Sequence, residues 1–249
     1  MNFELSEEQR MIQQSVERFV EDNYDLNSRV ALSSKSPGFS TENWHSMAEL
    51  GWLGLPFEEE DGGFGGNQID VLVVMEQFGR GLVLEPYLAS IVMGGGALKR
   101  GGTDALKSEI LPQVIEGTLQ LAFAYAEEQS RFDLDDVMTS ARKEGENFVL
   151  NGQKSMVQNA ETADKIVVSA RTSSGQVSPQ GITLFLIDAD AEGLSRDNFP
   201  TVDGLRASEI TLENVSVGPD RILGEVDQGF SILQSVANDA MLALSAEAV

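Results

Sequence analysis

Apolar positions recur with helical spacing over the first part of the chain, switch to strand spacing in the middle, and return to helical spacing at the end. Ser6 followed by Gln9 predicts a capping box, behind which Ile12, Val16, Phe19 and Val20 share one helical face. A second helix is expected from near Ser40, with Trp44, Met47 and Ala48 turned inward and Gly51 close to its end. A third follows Asn67 and buries Val71, Leu72, Met75 and Phe78 before the Gly79-Arg80-Gly81 break. A fourth opens with Pro86 in its first turn and runs towards Gly101-Gly102, and a fifth lies between Thr103 and Gly117.

Near Thr118 the period changes. Leu119, Leu121, Phe123 and Tyr125 alternate onto one face, as in a strand. FVLNGQKS places Asn151-Gly152 between two extended runs, which predicts a hairpin turn there because both residues tolerate positive φ. KIVVSAR, GITLFLI and SEITLENV continue the strand pattern. After Gly229, Leu233, Val236, Ala237, Ala240, Met241 and Leu244 fall on one helical stripe, with nothing later in the chain expected to cover it. Such a stripe should self-associate, fold back or remain disordered, or be covered by a missing helical domain or another subunit.

The fold class expected is therefore α+β. An N-terminal all-helical domain (1–117) precedes an antiparallel β-barrel or sandwich middle domain (118–226), and residues 227–249 begin a truncated C-terminal helical domain. At 249 residues the chain can bury a sizeable core.

Charge narrows the partners. Forty acidic residues against 17 basic ones give a formal net charge of −23, which repels nucleic acid and anionic membranes. The absence of cysteine excludes disulfides, thiolate metal sites and cysteine nucleophiles. No signal-peptide pattern opens the chain and no apolar run approaches membrane-spanning length, so a soluble, cytoplasmic protein is expected.

Residue spacing by itself assigns no catalytic set and no metal site. The single histidine, His45, sits beside Trp44 on a helix and has no second histidine to work with. DLDD at 133–136 lacks the ligand alternation of a calcium loop, and GGFGG at 62–66 reads as a flexible connection between helices, without the lysine of a phosphate cradle.

Several long segments in register nevertheless resemble the acyl-CoA dehydrogenase family. ELGWLGLPFEEEDGGFGG (49–66) and EQFGRGLVLEPYLAS (76–90) look like its N-terminal domain; LAFAYAEE, NGQKSMVQNAETADKIVVSAR and NVSVGPDRILGEVDQGF look like its middle domain. The resemblance implies FAD as cofactor, an acyl-CoA thioester as substrate, and an electron-transferring flavoprotein as acceptor. It further implies a homo- or hetero-oligomer with another acyl-CoA dehydrogenase subunit. The reaction implied is removal of the α-proton by a glutamate and of the β-hydrogen as hydride to flavin N5, giving a trans-2-enoyl-CoA. Hydrogen bonds to the thioester oxygen, in a site closed to water, make that proton removable. The family's glutamate belongs to its C-terminal domain and none here matches its motif. No catalytic residue is assigned, and this chain alone is expected to be inactive.

The family loop T-E-P-x-x-G-S-D aligns with Ala126, Glu127, Glu128, Gln129, Ser130, Arg131, Phe132 and Asp133. By resemblance, Phe123, Tyr125, Ala126, Met156 and Gln158 meet the flavin, and Glu127, Arg131 and Phe132 meet the substrate. Ala126 lacks the family hydroxyl but keeps a backbone able to reach the flavin ring. Met156 and Gln158 stand where W-x-T is usual; they either keep the role with different atoms or accompany loss of flavin. A loop close to A-E-x-x-S-R-[FY]-D resembles the small-subunit, pimeloyl-CoA-dehydrogenase-like branch. On that basis Arg131 contacts a pyrophosphate or acyl-CoA phosphate, or else pairs with Asp133 or Asp135 at the surface. Three readings stay open: the first two domains of an FAD-dependent dehydrogenase, a non-catalytic partner subunit of a heteromeric one, and a scaffold that has lost flavin.

Overall fold

Ser6 caps the first helix as its spacing predicts: its hydroxyl accepts from the Gln9 backbone at 3.1 Å and its N–H donates to Gln9 Oε1 at 3.0 Å. In the computed structural model, which describes residues 4–249, this helix, α1, spans Glu7–Asn23. α2 (Leu26–Ser33), α3 (Thr41–Glu49) and α4 (Gln68–Gly81) follow. Next come a π-helical segment, Tyr87–Gly95, then α5 (Gly96–Gly101) and α6 (Asp104–Ile115). Ser40, Asn67 and Thr103 cap α3, α4 and α6 through their side chains, satisfying N–H groups that have no partner within the helix.

Two expectations for this part change. The stretch after Pro86 is not one regular helix, because its first nine residues wind as a π-helix and almost all are buried, leaving no polar face to mark a period. GGFGG is no flexible connection. Its backbone folds back on residues 54–58, with Gly65 N–H donating to Phe57 O at 2.7 Å and Gly66 N–H to Leu55 O at 2.9 Å.

The strands are β1 (Leu121–Ala124), β2 (Ser140–Glu144), β3 (Asn147–Gln158), β4 (Lys165–Arg171), β5 (Ile182–Asp188), β6 (Leu194–Pro200), β7 (Arg206–Val217) and β8 (Ile222–Leu223). They form one sheet in the order β6-β7-β3-β2-β4-β5-β8, mostly antiparallel, with β1 paired parallel to β4. The sheet bends round its own core. Phe148 and Leu150 from β3 and Ile210 and Leu212 from β7 pack in one cluster with Ile166 and Val168 from β4 and Phe185 and Ile187 from β5. The alternate residues Val167, Leu184 and Leu186, with Leu121 and Phe123 of β1, belong instead to the helical core. β4 and β5 are thus buried on both faces, which is why KIVVSAR and GITLFLI read as nearly continuous apolar runs.

The hairpin turn lies elsewhere than expected. β2 and β3 turn at Gly145-Glu146, with Glu144 opposite Asn147, while Asn151-Gly152 lies inside β3 at a register shift against β7. A Cβ on Gly152 would sit 2.6 Å from Thr139, so the glycine is needed for close approach to that residue.

The final helix, α7 (Phe230–Glu247), corrects the expectation of an uncovered stripe. Leu233, Val236, Ala240 and Ala243 are buried, and the helix packs against α4, α5 and the π-helix. The earlier helices cover it, leaving Met241 and Leu244 about half exposed. The closest approach is at Gly79 of α4, where any Cβ would overlap the backbone carbonyl of Glu247. Gly79→Val should therefore push the end of α7 off α4 at a cost of about 1–3 kcal/mol. A denaturation midpoint matching that of wild type would show that this contact does not hold the helix.

Candidate active site: a cleft between the sheet and the last helix

β1 ends at Ala124 and delivers the chain to residues 125–139, a loop held by several ties. The first tie is internal. Ser130 N–H and Oγ both donate to Glu127 O, at 3.1 and 2.9 Å, and Asp133 N–H donates to Ser130 O at 2.8 Å. The second is a buried ion pair: Lys154 Nζ of β3 donates to Glu127 Oε1 at 2.7 Å and to Ser169 Oγ of β4 at 3.0 Å. Glu127 also accepts from Thr139 N–H on Oε1 at 3.0 Å and from Met138 N–H on Oε2 at 2.8 Å. The third is Arg171, whose guanidinium donates to Asp135 O on this loop and to the carbonyls of Gln176, Ser178 and Gln180.

Electrostatics match this arrangement. Burial pushes the Glu127 carboxyl up, but the Lys154 ammonium and the hydrogen bonds outweigh it and hold the group below the usual carboxylate range. Burial draws Lys154 down to about 8 against the attraction of Glu127. Glu127 is thus no substrate ligand by its side chain: both of its oxygens are occupied in holding the loop. Lys154 gave no signal in the sequence, because a lysine beside a presumed turn reads as exposed.

Opposite the loop, β3 bulges between Lys154 and Val157, and Met156 adopts φ 55°. Ser155 N–H donates to Ala126 O at 2.9 Å, which locks the bulge to the loop. The bulge presents Met156 and Gln158 to a cavity of about 500 Å³ that is also walled by Phe123, Tyr125, Arg131 and Phe132. The rings of Phe123 and Tyr125 lie 5.7 Å apart, and burial raises the Tyr125 phenol above its ordinary value, keeping it neutral. Leu88, Ala89 and Met93 of the π-helix and Ala237, Ala240, Met241 and Leu244 of α7 close the other side; spacing alone had not connected these with the loop.

Of the eight candidates, six converge on this cavity. Ala126 contributes through its backbone link to Ser155, and Glu127 lies behind the wall. A second, more polar cavity of about 660 Å³ adjoins the loop, lined by Glu128, Gln129, Thr139, Gln153 and Ser155 among others. Arg131 borders both cavities, at φ 50°, a conformation glycine would adopt with less strain. Among the described residues its guanidinium forms no ion pair with Asp133 or Asp135.

An elongated cleft with aromatic, thioether and amide walls and a cation at its polar end suits a flat ring system or an apolar chain joined to an anionic group. Among the described residues no group of acidic or histidine side chains could hold a metal, and no helix is long and apolar enough to cross a membrane.

Comparison with known proteins gives the same direction. Residues 6–118 match the family described as acyl-CoA dehydrogenase, N-terminal domain, and residues 122–215 match acyl-CoA dehydrogenase, middle domain. A probable acyl-CoA dehydrogenase, YngJ of Bacillus subtilis (strain 168), is 29% identical over 254 residues, covering 100% of this chain and 66% of that protein. A glutaryl-coenzyme A dehydrogenase in complex with glutaryl-CoA superposes with a TM-score of 0.90 at 25% identity, over 99% of this chain and 64% of the other. PigA with FAD and proline superposes with a TM-score of 0.89 at 26% identity, over 99% of this chain and 66% of the other. The chain thus spans just under two thirds of the length of these proteins. With both domain profiles matched in order and the fold shared along its length, the chain belongs to the acyl-CoA dehydrogenase family of oxidoreductases.

Proposed function

We propose that the chain forms the helical and β portions of an FAD-dependent acyl-CoA dehydrogenase, which converts an acyl-CoA thioester to its trans-2-enoyl product. The observation that carries this is the convergence of Phe123, Tyr125, Met156, Gln158 and Arg131 on one cleft closed by α7. The residues fit a flavin. Phe123 and Tyr125 offer an aromatic wall, Met156 a polarisable cover, and Gln158 an amide that can donate to and accept from ring heteroatoms.

When bound, FAD supplies the two-electron acceptor that takes the β-hydrogen. The protein's part is to hold, orient and exclude water. Half-buried Leu88 and buried Ala89 and Ala240 line the cleft with apolar surface where the acyl group would lie, and Tyr125 stays neutral beside it. Arg131 binds a phosphate of the flavin or of coenzyme A where the apolar cavity meets the polar one. The α-proton is taken by a base that this chain does not itself identify, and an electron-transferring flavoprotein serves as acceptor.

One observation favours a site completed by a partner subunit. Phe132, Met156 and Met241 are 96%, 56% and 58% exposed round the cavity mouth, an apolar rim that further protein would cover. A visible spectrum separates the readings. The full-length protein, purified with and without its genomic neighbour, should show flavin bands that bleach when acyl-CoA is added. Flavin only in the co-purified complex would favour the partner-subunit form, and no flavin in either preparation would refute the proposal.

A further inference from the structure

Residues 25–39, comprising α2 and the link to α3, are held by little apolar packing. α2 buries none of its eight residues, and of its apolar side chains only Leu32 rests, partly buried, against the core. Phe39, at the far end, is the buried apolar anchor of the segment. An eight-residue helix does not persist on its own hydrogen bonds, so what keeps α2 in place lies outside it.

Polar contacts latch the segment at both ends and in the middle. One buried carboxylate, Glu85, takes the two residues that bracket it: the Tyr24 hydroxyl donates to Oε2, and Ser40 N–H donates to Oε1 at 3.2 Å. Between them the Arg29 guanidinium donates to Leu82 O at 2.8 Å and to Asp203 O at 2.6 Å, the second in the turn that joins β6 to β7. Polar latches of this kind open at a smaller cost than a packed apolar face, because water replaces the lost partners.

Behind the segment lies a cavity of about 360 Å³, with Pro37, Gly38 and Phe39 in its wall. Leu82, Glu85 and Asp203, the residues that receive the latches, line the same cavity, so releasing the latches and parting that wall are one event. The cleft shares Leu88, Ala89, Gln158 and Leu244 with this cavity and takes none of residues 25–39 into its lining. We propose that residues 25–39 are a lid, latched by Glu85 and Arg29, that lifts as a unit and opens this cavity to solvent by a way separate from the cleft. The structure is its closed state. The solutes it would pass are small and uncharged, since Met75 and Phe78 offer apolar surface while Glu85, Glu161, Asp203 and Glu247 meet an anion with like charge.

The chain has no cysteine, so Met75→Cys in the full-length protein puts a single thiol on the cavity wall, and N-ethylmaleimide, small and uncharged, reports its exposure. Leu111→Cys puts a thiol in the buried face of α6, away from the cavity, where labelling follows global unfolding. The first thiol should react at least tenfold faster than the second. Adding Tyr24→Phe and Arg29→Ala, which remove one end of the clasp and the middle latch, should speed the first by roughly tenfold more. Thermal melting shows whether that variant is still folded at the labelling temperature. A lock probes the same motion from the other side: a Cβ on Gly204 would stand 3.4 Å from that of Ser33, close to disulfide spacing. With Ser33→Cys and Gly204→Cys, oxidation should slow amide exchange over residues 34–39 to the rate of the helices α3 and α4, and reduction should restore it.

If the thiols at positions 75 and 111 are labelled at one common rate, the cavity opens only by global unfolding and there is no lid. If the thiol at position 75 reacts early but at a rate that latch removal leaves unchanged, solutes reach it by another way and residues 25–39 are a fixed wall. Amide exchange over residues 34–39 that oxidation of the lock does not slow would overturn the proposal in the same way. None of these outcomes depends on flavin or acyl-CoA binding, so the dehydrogenase reading stands or falls separately.

Discussion

Lys154→Met should destabilise the protein by about 3–5 kcal/mol, since it leaves the Glu127 carboxylate buried without its cation. Both side chains are almost completely inaccessible, and the carboxylate holds two backbone N–H groups of the loop besides the ammonium. Pairing Lys154→Met with Glu127→Gln removes the stranded charge and keeps an oxygen for one of those two N–H groups. The double variant should recover most of the loss, giving a large coupling energy in a double-mutant cycle. Additive losses would mean that the two groups do not act as a pair. The loop should also loosen in the single variant, visible as faster amide exchange at Met138 and Thr139.

The same pair sets a pH dependence with two windows. Glu127 titrates lower in the fold than its ordinary value of 4.5, so below that value the unfolded chain binds more protons. Its contribution is complete above pH 4.5 and is lost as pH falls through the folded value. Lys154 also titrates lower in the fold, at about 8 against 10.5, so the unfolded chain again binds more protons between those values. Stability from this group rises with pH across that window as the cost of burying an ammonium is relieved. Denaturation curves of wild type and the double variant, compared across both windows, check the two signs; identical pH profiles would contradict them.

What the sequence disclosed depended on whether a residue's role was periodic, local or distant. Caps at Ser6 and Ser40 and the inward faces of α1, α3 and α4 were legible, because a capping side chain and an apolar stripe are both properties of a few neighbouring residues. α2 was missed: it buries none of its eight residues, leaves no apolar stripe, and is signalled only by Asp25 at its cap. The turn was put at Asn151-Gly152 because turn and bulge make the same demand on the backbone. Which one occurs depends on Thr139, thirteen residues before Gly152.

The site followed the same division. Resemblance supplied its loop together with Phe123, Tyr125, Met156 and Gln158. The members that hold it together were not legible, since Lys154 pairs 27 residues from its partner and Arg171 clamps 36 residues away. α7's part in the cleft was hidden for a related reason. Its stripe was plain, but the surface receiving it is more than a hundred residues upstream.

Arg131 is where the second large effect is expected, and its backbone lets charge be separated from conformation. Arg131→Ala should weaken flavin or acyl-CoA binding by roughly 10- to 100-fold, the loss of a charge-assisted hydrogen bond to phosphate. Arg131→Gly relieves the left-handed backbone at φ 50° and should fold at least as well as wild type, yet bind as poorly as the alanine variant. Arg131→Lys keeps the charge, loses the two-pronged contact, and should fall between. If the glycine variant bound like wild type, only the backbone at this position would matter. Salt provides an independent check, because a contact at an exposed guanidinium is screened within about 10 Å at 0.1 M ionic strength. Wild-type affinity should therefore fall with added salt more steeply than that of the alanine variant, and the two should converge at high salt. Parallel slopes would remove Arg131 from the phosphate site and leave the polar cavity beside it as binding surface without a charged anchor.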